Sequence, residues 1–224
     1  LVEIIKKLRL HIDERVDRVI QNKLFPELWY SVEKWALGAT RKEVMSVGCG
    51  NGRIEKALIK SGWFVTCVDH DPAALVSMQG LLSGEETSSR FEQVDMKGEF
   101  PFEDECFNFI ICLNYLEFLD HMSPSLKEMW RCLAPGGRAL IALTNRQSLW
   151  SMTDVLRHLR PTMTKPAPRL MTGRELKRVL ETTPFTIEYL RGKARYLPWP
   201  APFSSSIMAP VPGMNLAYLL KPKT

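Results

Sequence analysis

Apolar positions change their spacing twice along this 224-residue chain. Over residues 1–20, Leu1, Ile5, Leu8, Ile12, Val16 and Val19 recur every three or four positions, the stripe of an amphipathic helix. Leu24 to Leu37, carrying Trp29, Tyr30 and Trp35, continues as helix or packed cap after Pro26. From Glu43 the pattern changes to short apolar runs of strand length alternating with helix-length segments. Glu43–Val47 reads as a buried strand and Asn51–Ser61 as a helix stopped by Gly62. Trp63–Asp69 is a second strand, rich in β-branched and aromatic residues. Asp71-Pro72 opens a helix to about Leu82, and Arg90–Val94 is a third strand. Phe107–Leu113 is apolar almost throughout and should be buried on both faces. Ser123-Pro124 caps a helix through Leu133, Pro135-Gly136-Gly137 breaks it, and Arg138–Thr144 is the next strand. The second change comes at residues 145–172, where a proline-rich stretch interrupts the alternation as a lid or binding loop would. A helix from Thr172 to about Glu181 and strands near Phe185–Arg191 and Leu216–Leu220 complete the chain.

Alternation of this kind predicts an α/β fold: a seven-stranded, mainly parallel sheet with helices on both faces. One domain spans 1–224, comprising an N-terminal helical cap (1–40), a core (41–144), a lid insertion (145–172) and a C-terminal helix with strands (173–224).

Composition alters this picture little. A mass of 25.7 kDa suits one packed domain, and no apolar run approaches the roughly 20 residues that span a bilayer. Five cysteines without a C-x-x-C pair or a histidine at ligand spacing read as buried thiols in a reducing, cytoplasmic setting, with no metal site expected. The net charge of +5 is local in origin. Residues 157–195 hold ten basic and three acidic residues, a surplus of seven, which leaves the rest of the chain slightly acidic.

The chemistry concentrates at Gly48-Cys49-Gly50-Asn51-Gly52, a glycine turn between the first strand and its helix. Ligands of open parallel sheets bind beyond the carboxyl ends of the strands, where this chain sets the turn, Asp69, Asp95 and Asn114. A dinucleotide fingerprint would need G-x-G-x-x-G, but the third glycine comes one residue early and Arg53 stands in the sixth place. A phosphate loop would need Gly-Lys-Ser/Thr, which is absent.

Val44-Met45-Ser46-Val47-Gly48-Cys49-Gly50-Asn51-Gly52 resembles the first motif of class I S-adenosylmethionine-dependent methyltransferases, of the type 11-like kind. Val65 to Pro72 resembles their second motif, whose acid ends strand two. Phe100-Pro101-Phe102-Glu103-Asp104-Glu105-Cys106-Phe107 is similar to the segment before strand four, and Leu133-Ala134-Pro135-Gly136-Gly137 to the L-x-P-G-G motif. The order and spacing match over about residues 40–145. The resemblance implies S-adenosylmethionine as cofactor and S-adenosylhomocysteine as product. It puts Gly48, Cys49, Gly50 and Gly52 at the methionine part, Asp69 on the ribose hydroxyls and His70 against the adenine. Asp95 falls on the adenine amino group with Met96 beside it, and Asn114 near the methionine part and the acceptor. Three positions depart from the family: Ser46 and Asn108 stand where acids are common, and Phe118 where histidine is frequent.

Methyl transfer from a sulfonium is an in-line displacement that alignment alone accelerates, so a base is needed only where the acceptor loses a proton. Tyr115, Glu117, His121 and His158 are the candidates, and the sequence singles out none. Amino-directed DNA methyltransferases place two prolines and an aromatic residue after strand four, whereas this chain has Asn114-Tyr115-Leu116-Glu117. That weighs against a nucleic-acid base as acceptor without closing the class. A small-molecule acceptor, apolar or anionic, fits the basic and apolar residues after 145, which also leave a peripheral membrane contact through 157–195 open. The segment after strand five distantly resembles quinone-type O-methyltransferases. A SAM-binding module without catalysis, or an RNA or protein methyltransferase, stands as the alternative, and the oligomeric state is left open.

Overall fold

The computed structural model describes residues 41–49, 52–83, 88–147, 168–196 and 210–221. All lie in the second of two compact units, Thr40–Thr224. The helical cap expected at 1–40, most of the lid expected at 145–172 and Gly50 fall outside the described residues.

Seven strands form one sheet: β1 (Glu43–Val47), β2 (Phe64–Asp69), β3 (Ser89–Gln93), β4 (Phe107–Leu113), β5 (Leu133–Thr144), β6 (Thr186–Tyr196) and β7 (Pro210–Leu220). Their order across the sheet is β3-β2-β1-β4-β5-β7-β6. Strands β1 to β5 pair in parallel, and β7 runs antiparallel between β5 and β6. The helices are α1 (Arg53–Lys60), α2 (Pro72–Leu81), α3 (Ser123–Cys132) and α4 (Gly173–Glu181). This is a Rossmann-like α/β fold around a parallel sheet. Strand β1 lies between β2 and β4, so the chain order reverses there and opens a crevice beyond the carboxyl ends of β1 and β4.

Apolar content on both strand faces builds two layers of core. Met45, Ile110 and Ile141 face Leu126, Met129, Leu176 and Leu180, all fully buried, in one contiguous cluster. Across the sheet, the ring centroids of Trp63 and Phe109 stand 6.2 Å apart. Local chemistry sets the helix starts. Asp71 caps α2 by accepting from the Ala73 amide at 2.9 Å, with Pro72 in the first turn, where the missing N–H costs nothing. Thr172 and Glu175 form a reciprocal capping box on α4.

Two boundaries differ from the sequence reading. Ser123 is the first helical residue of α3 and makes no capping bond; the helix ends at Cys132, and β5 already begins at Leu133. Pro135-Gly136-Gly137 is therefore an irregularity within a strand, where the register against β4 shifts between Phe107 and Phe109. Gly136 turns through φ 74°, and a Cβ on Gly137 would stand 2.8 Å from the Ala134 carbonyl oxygen, so both places demand glycine. The last two strands are also longer than expected, with Pro210 and Pro212 inside β7. Pairing with β5 ends at Thr144 and Met214, so the prolines sit where β7 has only β6 beside it and one side needs no donor.

The ends of the 145–172 insertion meet on the sheet. Asn145 bridges to Met171, and the Arg146 amide donates to the Met171 carbonyl at 3.1 Å.

Candidate functional site at the carboxyl ends of the strands

The Gly48 amide donates to the Val68 carbonyl at 2.8 Å, extending the β1–β2 ladder by one residue before the chain turns away at φ 70°. Gly52, at φ 68°, caps α1. The space beside each glycine is taken by protein. A Cβ on Gly48 would lie 2.2 Å from Cδ2 of Tyr115, and one on Gly52 would lie 2.9 Å from the sulfur of Met78. Cys49, between them, is buried.

At the tip of β2, Asp69 is only 6% exposed. Its Oδ1 accepts from the Asp71 amide at 3.0 Å and stands 3.1 Å from Nδ1 of His70. The His70 ring is largely exposed, and its backbone carbonyl accepts from the Gln93 side chain at 3.1 Å. One strand further out, the Val94 amide donates to the Asp69 carbonyl at 3.0 Å, which sets Asp95 beside the β2 tip. The exposed Asp95 carboxylate accepts from the Lys97 amide at 2.9 Å. Met96 is a core residue whose carbonyl is held by the Ser125 hydroxyl at 2.6 Å.

Asn114, beyond β4, adopts φ 53°, rare for a residue other than glycine. Its side chain turns toward β5, with Nδ2 3.1 Å from the Thr144 hydroxyl. Tyr115 follows and reaches back across Gly48, its hydroxyl hydrogen-bonded to His70 Nδ1 and 3.5 Å from Asp69 Oδ1. Gly48, Asp69, His70 and Asn114 thus lie around one crevice, with Asp95 and Met96 at its β3 side and Tyr115 across it.

Two of the candidate bases are already engaged. Glu117 is buried, and its two oxygens accept from the Thr144 amide at 2.6 Å and the Thr144 hydroxyl at 3.0 Å, clamping the end of β4 to that of β5. Burial, and then the charge of Asp69, push the Tyr115 phenol well above its usual range, so it keeps its proton. His121 is exposed, and His158 lies outside the described residues.

A buried carboxyl lies behind the turn. Ser46 has Glu55 as its partner: the serine hydroxyl donates to Glu55 Oε1 at 2.5 Å, and both residues are buried. Burial pushes the Glu55 carboxyl above its ordinary 4.5, although the bond from Ser46 pulls the other way. The acid missing from position 46 of β1 is thus matched by one reaching over from α1. Its place was legible in part, since Glu55 shares a helical face with Leu58 and Ile59 at spacings of three and four. Thr144 was missed because the polar residue ending the fifth parallel strand was not counted with the other four strand ends. The thiols are structural: all five cysteines are free, and burial pushes Cys112 up to about 12. A hydrogen bond with Cys49, and then burial, raise Cys67 as well.

Residues 45–141 match the family described as the methyltransferase domain. The match covers less than half of the chain and makes this stretch similar to a methyltransferase domain, a likeness that implies S-adenosylmethionine as cofactor. Among curated relatives, the ubiquinone biosynthesis O-methyltransferase of Pseudomonas savastanoi pv. phaseolicola is 31% identical over 115 residues, covering 49% of this chain and 47% of that protein. The chain spans about half the length of the curated relatives it matches first. A crystal structure of a SAM-dependent methyltransferase from Methanosarcina mazei superposes with a TM-score of 0.64 at 18% identity, covering 86% of this chain and 97% of that one. The cyclase SpnF superposes equally well, with a TM-score of 0.66 at 13% identity over 88% of this chain and 81% of its own.

The donor set fits the cofactor. A nearly buried carboxylate whose contacts named above fall on Oδ1 keeps its other oxygen to accept a ribose hydroxyl, and the positive-φ turn beside it is covered only by the Tyr115 side chain.

Proposed function

We propose that this protein is an S-adenosylmethionine-dependent methyltransferase acting on a hydroxyl of a small, apolar or anionic acceptor. The observation that carries this reading is the Asp69 carboxylate, buried at the tip of β2 beside the positive-φ turn of β1, at the point where the strand order reverses. In this reading Asp69 holds the ribose, His70 and Asp95 flank the adenine, the backbone from Gly48 to Gly52 receives the methionine part, and Asn114 orients the methyl toward the acceptor. The cofactor supplies a methyl group already activated on a sulfonium. The chain's own task is then alignment, which is worth an effective molarity of roughly 10⁵–10⁸ M when geometry is good.

The choice of an oxygen acceptor takes its support from the relatives named as ubiquinone biosynthesis O-methyltransferases. Nucleic acid is a weaker reading, since Arg174, Lys177 and Arg178 all stand exposed on α4, and Lys177 pairs with Glu181 at 3.6 Å, as on any solvated face. No helix among the described residues is long and apolar enough to cross a membrane, and a cytoplasmic location belongs with this reading as part of the proposal. One observation favours a second reading, a cofactor-binding module without catalysis: Glu117 and Tyr115, two of the four candidate bases, are engaged in the structure. SpnF shows that a cyclase can share this fold, so the fold alone does not fix the chemistry.

Calorimetry with S-adenosylhomocysteine tests the cofactor assignment. The wild type should bind, and Asp69→Ala should weaken binding at least ~100-fold, since two hydrogen bonds to a charged group contribute roughly 1.5–3 kcal/mol each. Equal affinity in the two proteins would remove Asp69 from the site. Turnover of labelled S-adenosylmethionine with catechol-type acceptors separates the enzyme from the inert module.

A further inference from the structure

Tyr115 occupies the crevice in a way that packing alone does not require. Asn114, at φ 53°, throws the next residue back over the strand ends. Its side chain then covers the turn, with Cδ2, Cγ and Cβ at 2.2, 2.4 and 2.7 Å from the place a Gly48 Cβ would take. From there the hydroxyl spans to the far wall, where it bonds His70 and approaches Asp69 Oδ1 at 3.5 Å, while the two rings meet at a tilted 5.9 Å. Tyr115 is only half-buried: it packs against the edge of the core cluster and covers the turn from there.

On the cofactor reading above, those same groups belong to the cofactor. Asp69 would accept ribose hydroxyls, His70 would lie against the base, and the Gly48 backbone would take the methionine part. A phenol hydroxyl and a ribose hydroxyl are the same kind of donor to the same carboxylate, and the two cannot fill one place. We infer that Tyr115 is a resident competitor for the cofactor site: an internal stand-in whose ring covers Gly48, whose hydroxyl engages Asp69 and His70, and whose withdrawal sets cofactor affinity. Apparent affinity then falls in proportion to the fraction of molecules with the side chain withdrawn. Both Asp69 and His70 also keep contacts independent of Tyr115, with the Asp71 amide and the Gln93 side chain, so the seat stays formed when the tyrosine leaves.

The deciding experiment compares the full chain as wild type, Tyr115→Phe and Asp69→Ala, binding S-adenosylhomocysteine by calorimetry and stopped-flow. Phenylalanine keeps the ring and the fold but removes the tether. Losing a hydrogen bond to a charged partner should make Tyr115→Phe bind about 10-fold tighter, mainly through faster association, because closed molecules become open ones. Unchanged or weaker binding by Tyr115→Phe overturns the proposal, and weaker binding would make the hydroxyl a direct cofactor contact instead. The two readings fail separately: a wild type that binds no S-adenosylhomocysteine removes the cofactor assignment. A wild type that binds, an Asp69→Ala that does not and an unaltered Tyr115→Phe together remove only the competitor.

Discussion

The two edges of the parallel sheet carry comparably dense polar clusters, built for opposite ends. At the amino edge, Arg131 donates to the carbonyls of Phe102 and Phe100 at 2.8 and 2.9 Å and pairs with Asp104 and Glu128 at 2.7 Å each. Glu128 also receives the Phe100 amide at 2.9 Å. Its bond with Glu128, and then with Asp104, holds the Arg131 guanidinium well above its ordinary range. Nearby, Lys221 is 3% exposed, pairs with Glu105 at 2.7 Å and lies 4.5 Å from the centre of the Trp130 ring. These charges answer one another and staple α3, the loop before β4 and the end of β7 into one edge.

At the carboxyl edge the contacts of Asp69 fall on one oxygen, His70 and Asp95 face outward, and the backbone takes left-handed turns at Gly48, Gly52 and Asn114. The lesson concerns what marks a site. Strongly shifted ionisation occurs at both edges, so a perturbed charge does not identify function by itself. What differs is whether topology leaves the groups open. The amino edge is closed by its own partners, and the carboxyl edge opens where the strand order reverses.

Arg131→Met is the largest test of that contrast. Removing a half-buried charge that serves two carboxylates and two carbonyls should lower stability by about 3 kcal/mol in urea unfolding. S-adenosylhomocysteine affinity should stay within about 2-fold, because the Arg131 contacts named above reach none of Gly48, Asp69, His70 and Asn114. A large loss of affinity in a folded Arg131→Met protein would break the separation.

Gly48→Ala comes next. A left-handed backbone costs an alanine roughly 1–2 kcal/mol, and the collision with Tyr115 adds to it. In a Tyr115→Ala background the same substitution should cost about 1 kcal/mol less. Strict additivity in that double-mutant cycle would show that the ring is not the obstacle.

The smallest effect is one of pH. The folded protein holds the Glu55 proton above the ordinary 4.5, so it binds a proton that the unfolded chain releases. Ionisation therefore costs the wild type stability progressively as pH rises from 4.5 toward the raised folded value, and the cost then levels off. Glu55→Gln lacks this penalty, so its melting temperature should gain on the wild type across that window. A difference that does not vary with pH would mean that Glu55 is not held neutral.

Much of the site edge was legible because its causes are local. A positive-φ turn requires glycine, Asp71-Pro72 starts a helix by its own side chain, and an acid after a strand-length run stands at the sheet's carboxyl end wherever the sheet goes. The errors also have local and non-local causes. Pro135-Gly136-Gly137 reads as a breaker in one dimension, yet β4 pairs with β5 before and after it and Lys221 bonds Gly136 and Gly137, so the strand runs through as an irregularity. Likewise Glu117 is an unremarkable acid until Thr144, 27 residues away, arrives beside it.

The alternation of elements, the parallel core and the row of chemistry-bearing strand ends are written in local pattern, since periodicity, caps and turns act over a few residues. How those side chains are employed depends on the packing of elements distant in the chain. Glu55 meets Ser46 because α1 packs on β2, the neighbour of β1, and Tyr115 crosses Gly48 because Asn114 turns left-handed at the end of β4. Both outcomes depend on which element lies opposite, and the burial that fixes a proton or a partner exists only once the layers close.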